Sequence, residues 1–291
     1  MAETKGKLIR ALAGGRSVRV LGVEMTSVVL EMCRKHQLKG AAAVLASEAL
    51  VATTLMSGQI KGEERLTLQI RFDDLKASFM GEVDAKNNVR GVMRPARIKW
   101  EPGQRLNGSV YAIKHNASKE LYRGVTGLFH SSVEQAIVEH LEASYQLDVL
   151  FRIGVECNES GAPIWAGGFI VERLPPEIAS HEMERNRFTE RFGPLGTGGV
   201  REAMKHLGDG WIGGEEMDVL EIWPTRWACR CSEHKVRTTI ALLGATAIQE
   251  MVDDLGYAAV TCHFCNATYR LGVVELVDLI ESIQEAEEAS R

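Results

Sequence analysis

An α+β fold is predicted: a large N-terminal domain over residues 1–176 with a mostly antiparallel sheet and packed helices, a helical linker over 177–228, and a small C-terminal module over 229–291. Three observations predict it. In the first part, runs of alternating apolar and polar residues, the mark of half-buried strands, are interleaved with helical periods. Pro175-Pro176 then breaks the chain, and the stretch beyond it is cut twice by glycine clusters, at Gly193-Pro-Leu-Gly-Thr-Gly-Gly199 and Gly208-Asp-Gly-Trp-Ile-Gly-Gly214. Four of the six cysteines fall near the end, as Cys229-Arg-Cys231 and Cys262-His-Phe-Cys265.

In chain order, Ser17 to Val23 alternates and reads as a strand, and Thr26 is placed to cap a helix running to His36. Val29, Met32, Cys33 and His36 share one stripe of that helix, so Cys33 reads as a core thiol. The most apolar run, Gly40 to Gly58, carries Ser47, Glu48, Thr53 and Thr54; it is short and polar for a membrane span and reads as a buried helix over Ala41 to Ser57. Glu48 within it reads as a solvated or capping residue. Leu66 to Phe72 alternates cleanly. Ala77 to Val83 and Val89 to Met93 flank the turn-prone Asn87-Asn88 and read as a hairpin. Gly103 and Asn107-Gly108 mark turns before a strand over Ser109 to Lys114. Ser132 to Tyr145 is helical, with Val133, Ile137, Leu141 and Tyr145 on one face. Asp148 to Glu156 and Ile164 to Leu174 are strand-like, Cys157 being an incidental edge thiol and Gly167-Gly168 a place of close backbone approach.

In the linker, Val200, Ala203, Met204 and Leu207 have helical spacing, Phe188 and Phe192 form an i, i+4 pair, and Met217 with Leu220 suggests a third short apolar face. Helices this short are marginal in water and must lean on a neighbour. In the C-terminal module Ser232 can cap a helix, Gly256 can end a second, short strands flank the C-x-x-C turn, and a last helix starts at Val273.

The chain has 291 residues, 45% hydrophobic and 25% charged, ordinary values for a soluble globular protein. Met1 to Lys7 is followed by no apolar h-region, which predicts a cytoplasmic protein. In that reducing compartment cysteines act as metal ligands or redox groups more often than as structural disulfides. Residues 229–291 hold five Lys/Arg against ten Asp/Glu. An acidic module argues against nucleic acid as a partner, because phosphate needs a basic face. No P-loop, G-x-S-x-G or H-E-x-x-H is present and the eight histidines are scattered, so no enzyme is predicted.

Two close pairs of soft thiolates suit one tetrahedral Zn²⁺, which makes Cys229, Cys231, Cys262 and Cys265 the candidate ligands. His234 and His263 lie beside them and are left out, since four sulfurs complete the tetrahedron. The pattern alone leaves three readings open: a metal latch that oxidation releases, a static zinc-stabilised interaction module, and a thiol–disulfide oxidoreductase using Cys262-x-x-Cys265. The last lacks the βαβ context of such a motif.

Cys229-x-Cys231-Ser, the spacer with its Leu-Gly, and Val260-x-Cys262-x-Phe-Cys265-Asn-x-x-Tyr269 resemble the redox-switch domain of the heat-shock protein 33 family. The likeness runs through the whole chain: Lys7-Leu-Ile-Arg-Ala-Leu, Gly62-Glu-Glu-Arg-Leu-Thr-Leu-Gln, Val89-Arg-Gly, Tyr122-Arg-Gly-Val and Ala166-Gly-Gly-Phe-Ile-Val-Glu-Arg-Leu-Pro follow in order. Ser144-Tyr-Gln146 stands where that family usually has Ser-Glu-Gln, and Asp73-Asp-Leu75 lacks its Gly-Pro. The resemblance implies an ATP-independent holdase chaperone of the heat and oxidative stress response. It implies one zinc per reduced, inactive, monomeric chain. Oxidation then forms the disulfides Cys229–Cys231 and Cys262–Cys265, with zinc loss and linker unfolding. The active form is a homodimer that binds unfolding client proteins, without nucleic acid or membrane as partners.

Overall fold

The computed structural model describes residues 5–175, 190, 199–212 and 214–289. By its contacts the chain divides into two units, Met1–Ala228 and Cys229–Arg291. In the first unit the strands are β1 (Lys5–Ala13), β2 (Val18–Glu24), β3 (Arg65–Phe72), β4 (Ala77–Asp84), β5 (Asn88–Arg94), β6 (Leu106–His115), β7 (Glu120–His130), β8 (Val149–Cys157) and β9 (Pro163–Arg173). A short ribbon, β10 (Trp211–Ile212) with β11 (Glu215–Glu216), and a last strand, β12 (Asp218–Trp227), follow. Helices α1 (Thr26–His36), α2 (Ala41–Leu55), α3 (Val133–Tyr145) and α4 (Val200–Gly208) complete the unit.

Ten strands form one sheet in the order β7-β6-β3-β4-β5-β12-β1-β2-β9-β8. Among the described residues its pairings are antiparallel except β12 with β5, which is parallel and only two residues long, Arg226 opposite Asn88 and Trp227 opposite Val89. With β1 the same strand pairs over eight positions, through a bulge between Arg10 and Ala11. β12 thus joins two half-sheets, the one it barely touches and the one it zips along.

The main core lies on one sheet face, where Leu66, Leu68, Ile70, Phe72, Phe79 and Val83 meet α1, α2 and α3. Helix α2 is apolar all round because it is buried all round. Its hydroxyls are satisfied within the helix, Ser47, Thr53 and Thr54 donating to the carbonyls of Ala43, Ala49 and Leu50 at 2.5, 2.7 and 2.8 Å. The stretch Ala41–Gln59 is long and apolar enough to cross a membrane, yet 78% of its apolar window is buried inside the protein. Close approach of α2 to the sheet needs Gly81, where a Cβ would stand 2.5 Å from the Thr53 Oγ1.

A second, smaller core occupies the opposite face. Val200, Met204 and Leu207 of α4 press on Ala11, Val18, Val20, Trp165, Phe169 and Val171. A cavity of about 320 Å³ lies beside this contact, lined by Phe169, Leu207, Trp211 and Ile212 among others, so the helix covers the face without filling it.

Several expectations are corrected here. Thr26 does not cap α1, whose N-cap is Met25; the Thr26 hydroxyl donates to Glu24 and accepts from the Ala166 N–H, tying the helix start to β9. Asn107-Gly108 is no turn but lies within β6; at Gly108 φ is +156° and a Cβ would fall 1.9 Å from the Arg71 carbonyl oxygen. The linker expected to be helical over 177–228 contains, among its described residues, α4 and the ribbon, but Asp218–Trp227 is sheet strand β12. Met217 is buried against the second core while Leu220 is exposed, so they share no helical face. The Phe188/Phe192 pair lies outside the described residues.

Glu48 is not merely solvated. Its stem is partly exposed, but Oε2 is sealed from solvent with no hydrogen-bond partner, and burial, aided by the nearby Glu134 charge, pushes its carboxyl from 4.5 to about 7. His140, fully buried, shares its Nδ1 with the Thr126 hydroxyl at 2.9 Å and leaves Nε2 unpartnered. Burial holds its imidazole down, from 6.5 to about 4. The two run in opposite senses. An unfolded chain protonates His140 below 6.5 and the fold does so only near 4, so stability from this group is present above pH 6.5 and is lost as pH falls through that window. The fold keeps the Glu48 proton up to about 7 and the unfolded chain releases it above 4.5, so that contribution is present below pH 4.5 and is lost as pH rises towards 7. Each is worth about 3 kcal/mol across its window, from ~1.36 kcal/mol per pH unit. Relative to wild type, Glu48→Gln therefore loses stability on acidification from neutral pH to pH 4.5 and His140→Gln gains it. Urea unfolding at the two pH values reads this, and equal shifts in both variants would contradict it.

Candidate metal centre

The second unit is built around the cysteines. Its helices are α5 (Glu233–Ala241), α6 (Ala245–Leu255) and α7 (Val273–Ala289), and its hairpin is β13 (Tyr257–Thr261) with β14 (Thr268–Gly272). The first cysteine pair sits just before α5. Ser232 starts that helix by accepting the Lys235 N–H at 3.3 Å, and the Lys235 Nζ returns to the Arg230 carbonyl at 2.7 Å, which pins the backbone between Cys229 and Cys231. Gly256, with φ of +68°, ends α6 and turns the chain into β13.

The second pair occupies the tip of the hairpin. The Cys262 N–H donates to the Ala267 carbonyl and the Asn266 N–H to the Cys262 carbonyl, both at 2.9 Å. Asn266 adopts φ of +59°, the left-handed conformation an asparagine tolerates, and so curls the turn around Cys265. This ending matches the expected one: helix start and hairpin tip, each carrying two thiols.

All four sulfurs lie within 4.8 Å of one another, and among the described residues this is the group that could hold a metal ion. His234 and His263 do not join it. The sulfurs of Cys231 and Cys265 are 3.2 Å apart and those of Cys229 and Cys262 are 3.6 Å apart. A tetrahedron with metal–sulfur bonds of about 2.3 Å needs sulfurs about 3.8 Å apart, so the set needs only small adjustments to close on one ion. No disulfide is present and all six cysteines are free. Cys33 lies in the main core and Cys157 ends the edge strand β8, both in the first unit.

Burial pushes the Cys265 thiol well up, only partly offset by the Ala267 N–H, and burial likewise raises Cys231, against the hydrogen bond from Tyr269. Without a positive charge these sulfurs hold their protons; a bound cation reverses that balance. Tyr269 touches this group, which cysteine spacing does not reveal. It stands opposite Val260 in the hairpin, its ring packs on the small core, and its hydroxyl donates to the Cys231 Sγ at 3.0 Å. That bond pushes the phenol up to about 12. Its position seven residues past the first hairpin cysteine was visible only as part of a motif.

The described core of this unit is small, consisting of Val236, Ile240, Ile248, Ala258, Leu271, Leu276, Leu279 and Ile280. Leu242 and Val274 are 83% and 73% exposed, so much of the unit's apolar material is not used to hold it together.

The family model described as Hsp33 protein matches residues 6–272. A 33 kDa chaperonin of Symbiobacterium thermophilum is 29% identical over 286 residues, covering 94% of this chain and 96% of that relative. The 33 kDa chaperonin of Bacillus subtilis is 25% identical over 287 residues, covering 94% and 97%. Among solved structures, a 33 kDa chaperonin of Thermotoga maritima superposes with a TM-score of 0.78 at 19% identity, over 96% of this chain and 98% of that one.

Proposed function

The chain belongs to the Hsp33 family, and from that premise we propose that it is a redox-regulated, ATP-independent holdase whose four clustered cysteines form the switch. The observation that carries the reading is the convergence of two cysteine pairs from separate elements onto one point of a unit with few other means of support. Bound Zn²⁺ supplies a four-way cross-link there and keeps the sulfurs as thiolates.

The thiolates are the oxidisable form. In each pair one sulfur attacks hydrogen peroxide, the O–O bond breaks and hydroxide leaves. The second sulfur then attacks the S–OH sulfur and a second hydroxide leaves; each hydroxide takes a proton from solvent, so the pair loses two electrons, one S–S bond forms and one peroxide becomes two waters. As disulfides, Cys229–Cys231 and Cys262–Cys265 no longer serve as ligands. The rings they close span two and three bonds of chain spacing and constrain the unfolded state little. The unit then loses its support, the short helix α4 detaches in turn while β12 stays in the sheet, and the apolar face under α4 becomes available to unfolding client proteins. The reduced chain is read as an inactive monomer in the cytoplasm and the oxidised one as an active homodimer.

A second reading has one observation behind it. Two short sulfur–sulfur contacts run across the motifs, Cys231 with Cys265 and Cys229 with Cys262. Disulfides formed across the motifs would close loops of more than thirty residues and stabilise the unit, making it a staple rather than a latch. The experiment that decides is peroxide treatment at mildly raised temperature. The expected outcome is one zinc released per chain, disulfides within each motif by mass spectrometry, and suppressed aggregation of a chemically unfolded client enzyme. Oxidised, metal-free protein that stays folded, carries cross-motif disulfides and leaves aggregation unchanged would overturn the proposal.

A further inference from the structure

We infer that Tyr269 is a positioning residue that sets how readily the cysteine switch reacts with oxidant, an inference that rests on the redox reading above. Its hydroxyl donates to the Cys231 Sγ at 3.0 Å. The sulfur it touches is one of the four that converge, and it is partly buried, so this donor faces little competition from water.

The geometry is held rather than accidental. Tyr269 lies on β14, in register with Val260 across the hairpin, and both pack against the unit's core. On the same strand Arg270 points the other way and stacks on the Tyr257 ring, its guanidinium carbon 3.9 Å from the ring centroid, which fixes the twist of the strand and the side to which Tyr269 projects. The hydroxyl is therefore delivered to the sulfur by a rigid element and loses little freedom in bonding to it.

The consequence follows from what a hydrogen bond does to a sulfur anion. The oxidation step begins with a sulfur lone pair attacking a peroxide oxygen; the S–O bond forms as the O–O bond breaks and hydroxide departs. A donor on that sulfur stabilises the lone pair in the resting state and must weaken as charge leaves it for the peroxide. Tyr269 thus slows the attack while adding to the hold on the metal, as partners of metal ligands commonly do. It makes the switch less sensitive to background oxidant.

The test compares zinc-loaded wild type, Tyr269→Phe and Thr268→Val. The phenylalanine keeps the ring and its packing and removes only the donor. Thr268, exposed and hydrogen-bonded to Thr261 at 2.9 Å, removes a hydroxyl from the same hairpin without touching sulfur. Zinc release is followed with a colorimetric chelator against peroxide concentration. The slope reads oxidation and the intercept reads simple dissociation, so weakened binding and faster attack are separated. Tyr269→Phe is expected to raise the slope roughly tenfold, the order of effect that losing a charge-assisted hydrogen bond or an outer partner of a metal ligand produces, and Thr268→Val to leave it unchanged. Cobalt-loaded protein gives a readout independent of oxidation: with the donor gone, the sulfur-to-metal charge-transfer band moves to longer wavelength. An unchanged slope and an unshifted band overturn the role of Tyr269 while leaving the switch intact. Absence of peroxide-dependent release from every protein, wild type included, overturns the redox reading and this inference with it.

Discussion

Removing the metal from the reduced protein with a strong chelator, or replacing Cys262 with serine, unfolds residues 229–289 and leaves the ten-stranded sheet standing. The two units make this expectation sharp. The sheet unit is held by a core that runs from Leu8 to Ile170 and has no need of the cysteine group. The smaller unit has eight buried side chains in its described core, while Leu242, Leu255 and Val274 lie mostly exposed. A structural zinc contributes roughly 10–16 kcal/mol of apparent binding energy in small peptides, against about 5–15 kcal/mol for the whole stability of an ordinary domain. Losing it therefore exceeds what such a core can replace. Burial also raises the thiols of Cys231 and Cys265, so without the metal these two hold their protons and nothing cross-links the group. Wild type is expected to melt in two transitions and the chelated protein or Cys262→Ser in one, with the amide NMR dispersion of the second unit lost. Retained dispersion in metal-free protein would show that packing alone suffices and that the cysteines are no latch.

The second large effect is expected from Met204→Asp, which should give a reduced, zinc-loaded protein that already restrains client aggregation. Met204 is buried between α4 and the sheet, and a Cβ placed on Gly22 of β2 would meet its Cε at 3.3 Å. With Val200 and Leu207 it makes the stripe by which a nine-residue helix adheres. A helix of that length is marginal in water without tertiary support. An unpaired carboxylate at the centre of its contact costs several kcal/mol, more than the adhesion can absorb beside a 320 Å³ cavity. Detachment uncovers Val18, Val20, Phe169 and Val171. The checks are zinc content, which should stay at one per chain, and client light scattering without oxidant. A variant that binds the apolar dye ANS no better than wild type and stays inactive would place the client surface elsewhere.

Much of this architecture is written in local patterns. The alternation in Leu66 to Phe72 became β3, the stripe at Val133, Ile137 and Leu141 became α3 with Ser132 as its cap, and the cysteine pairs met as their spacing predicts. What escaped reading depends on distant partners. β7 contains Gly124 and Gly127, and its outer face carries Leu121, Val125 and Phe129 exposed, so neither period stands out; ten positions of pairing with β6 make it a strand. β12 hides behind Pro224 and the polar Thr225, and becomes a strand because β1 lies beside it. Glu48 looked like any helical surface glutamate, and only the packing of neighbouring elements seals its Oε2. Tyr269 is the same case at the candidate site: a strand residue whose meaning depends on a sulfur thirty-eight positions earlier.

The place of β12 also bears on how the chain comes off the ribosome. β1 is made long before its partner, since Lys5 lies opposite Arg226. Until Trp227 has been synthesised the two half-sheets have open edges at β1 and β5, each a template for stray strands. Pairing across so long a separation is also slow to form. Between those two strands the nascent chain is an aggregation-prone species of the kind this family is proposed to protect, and the segment that closes its sheet is followed, two residues later, by Cys229.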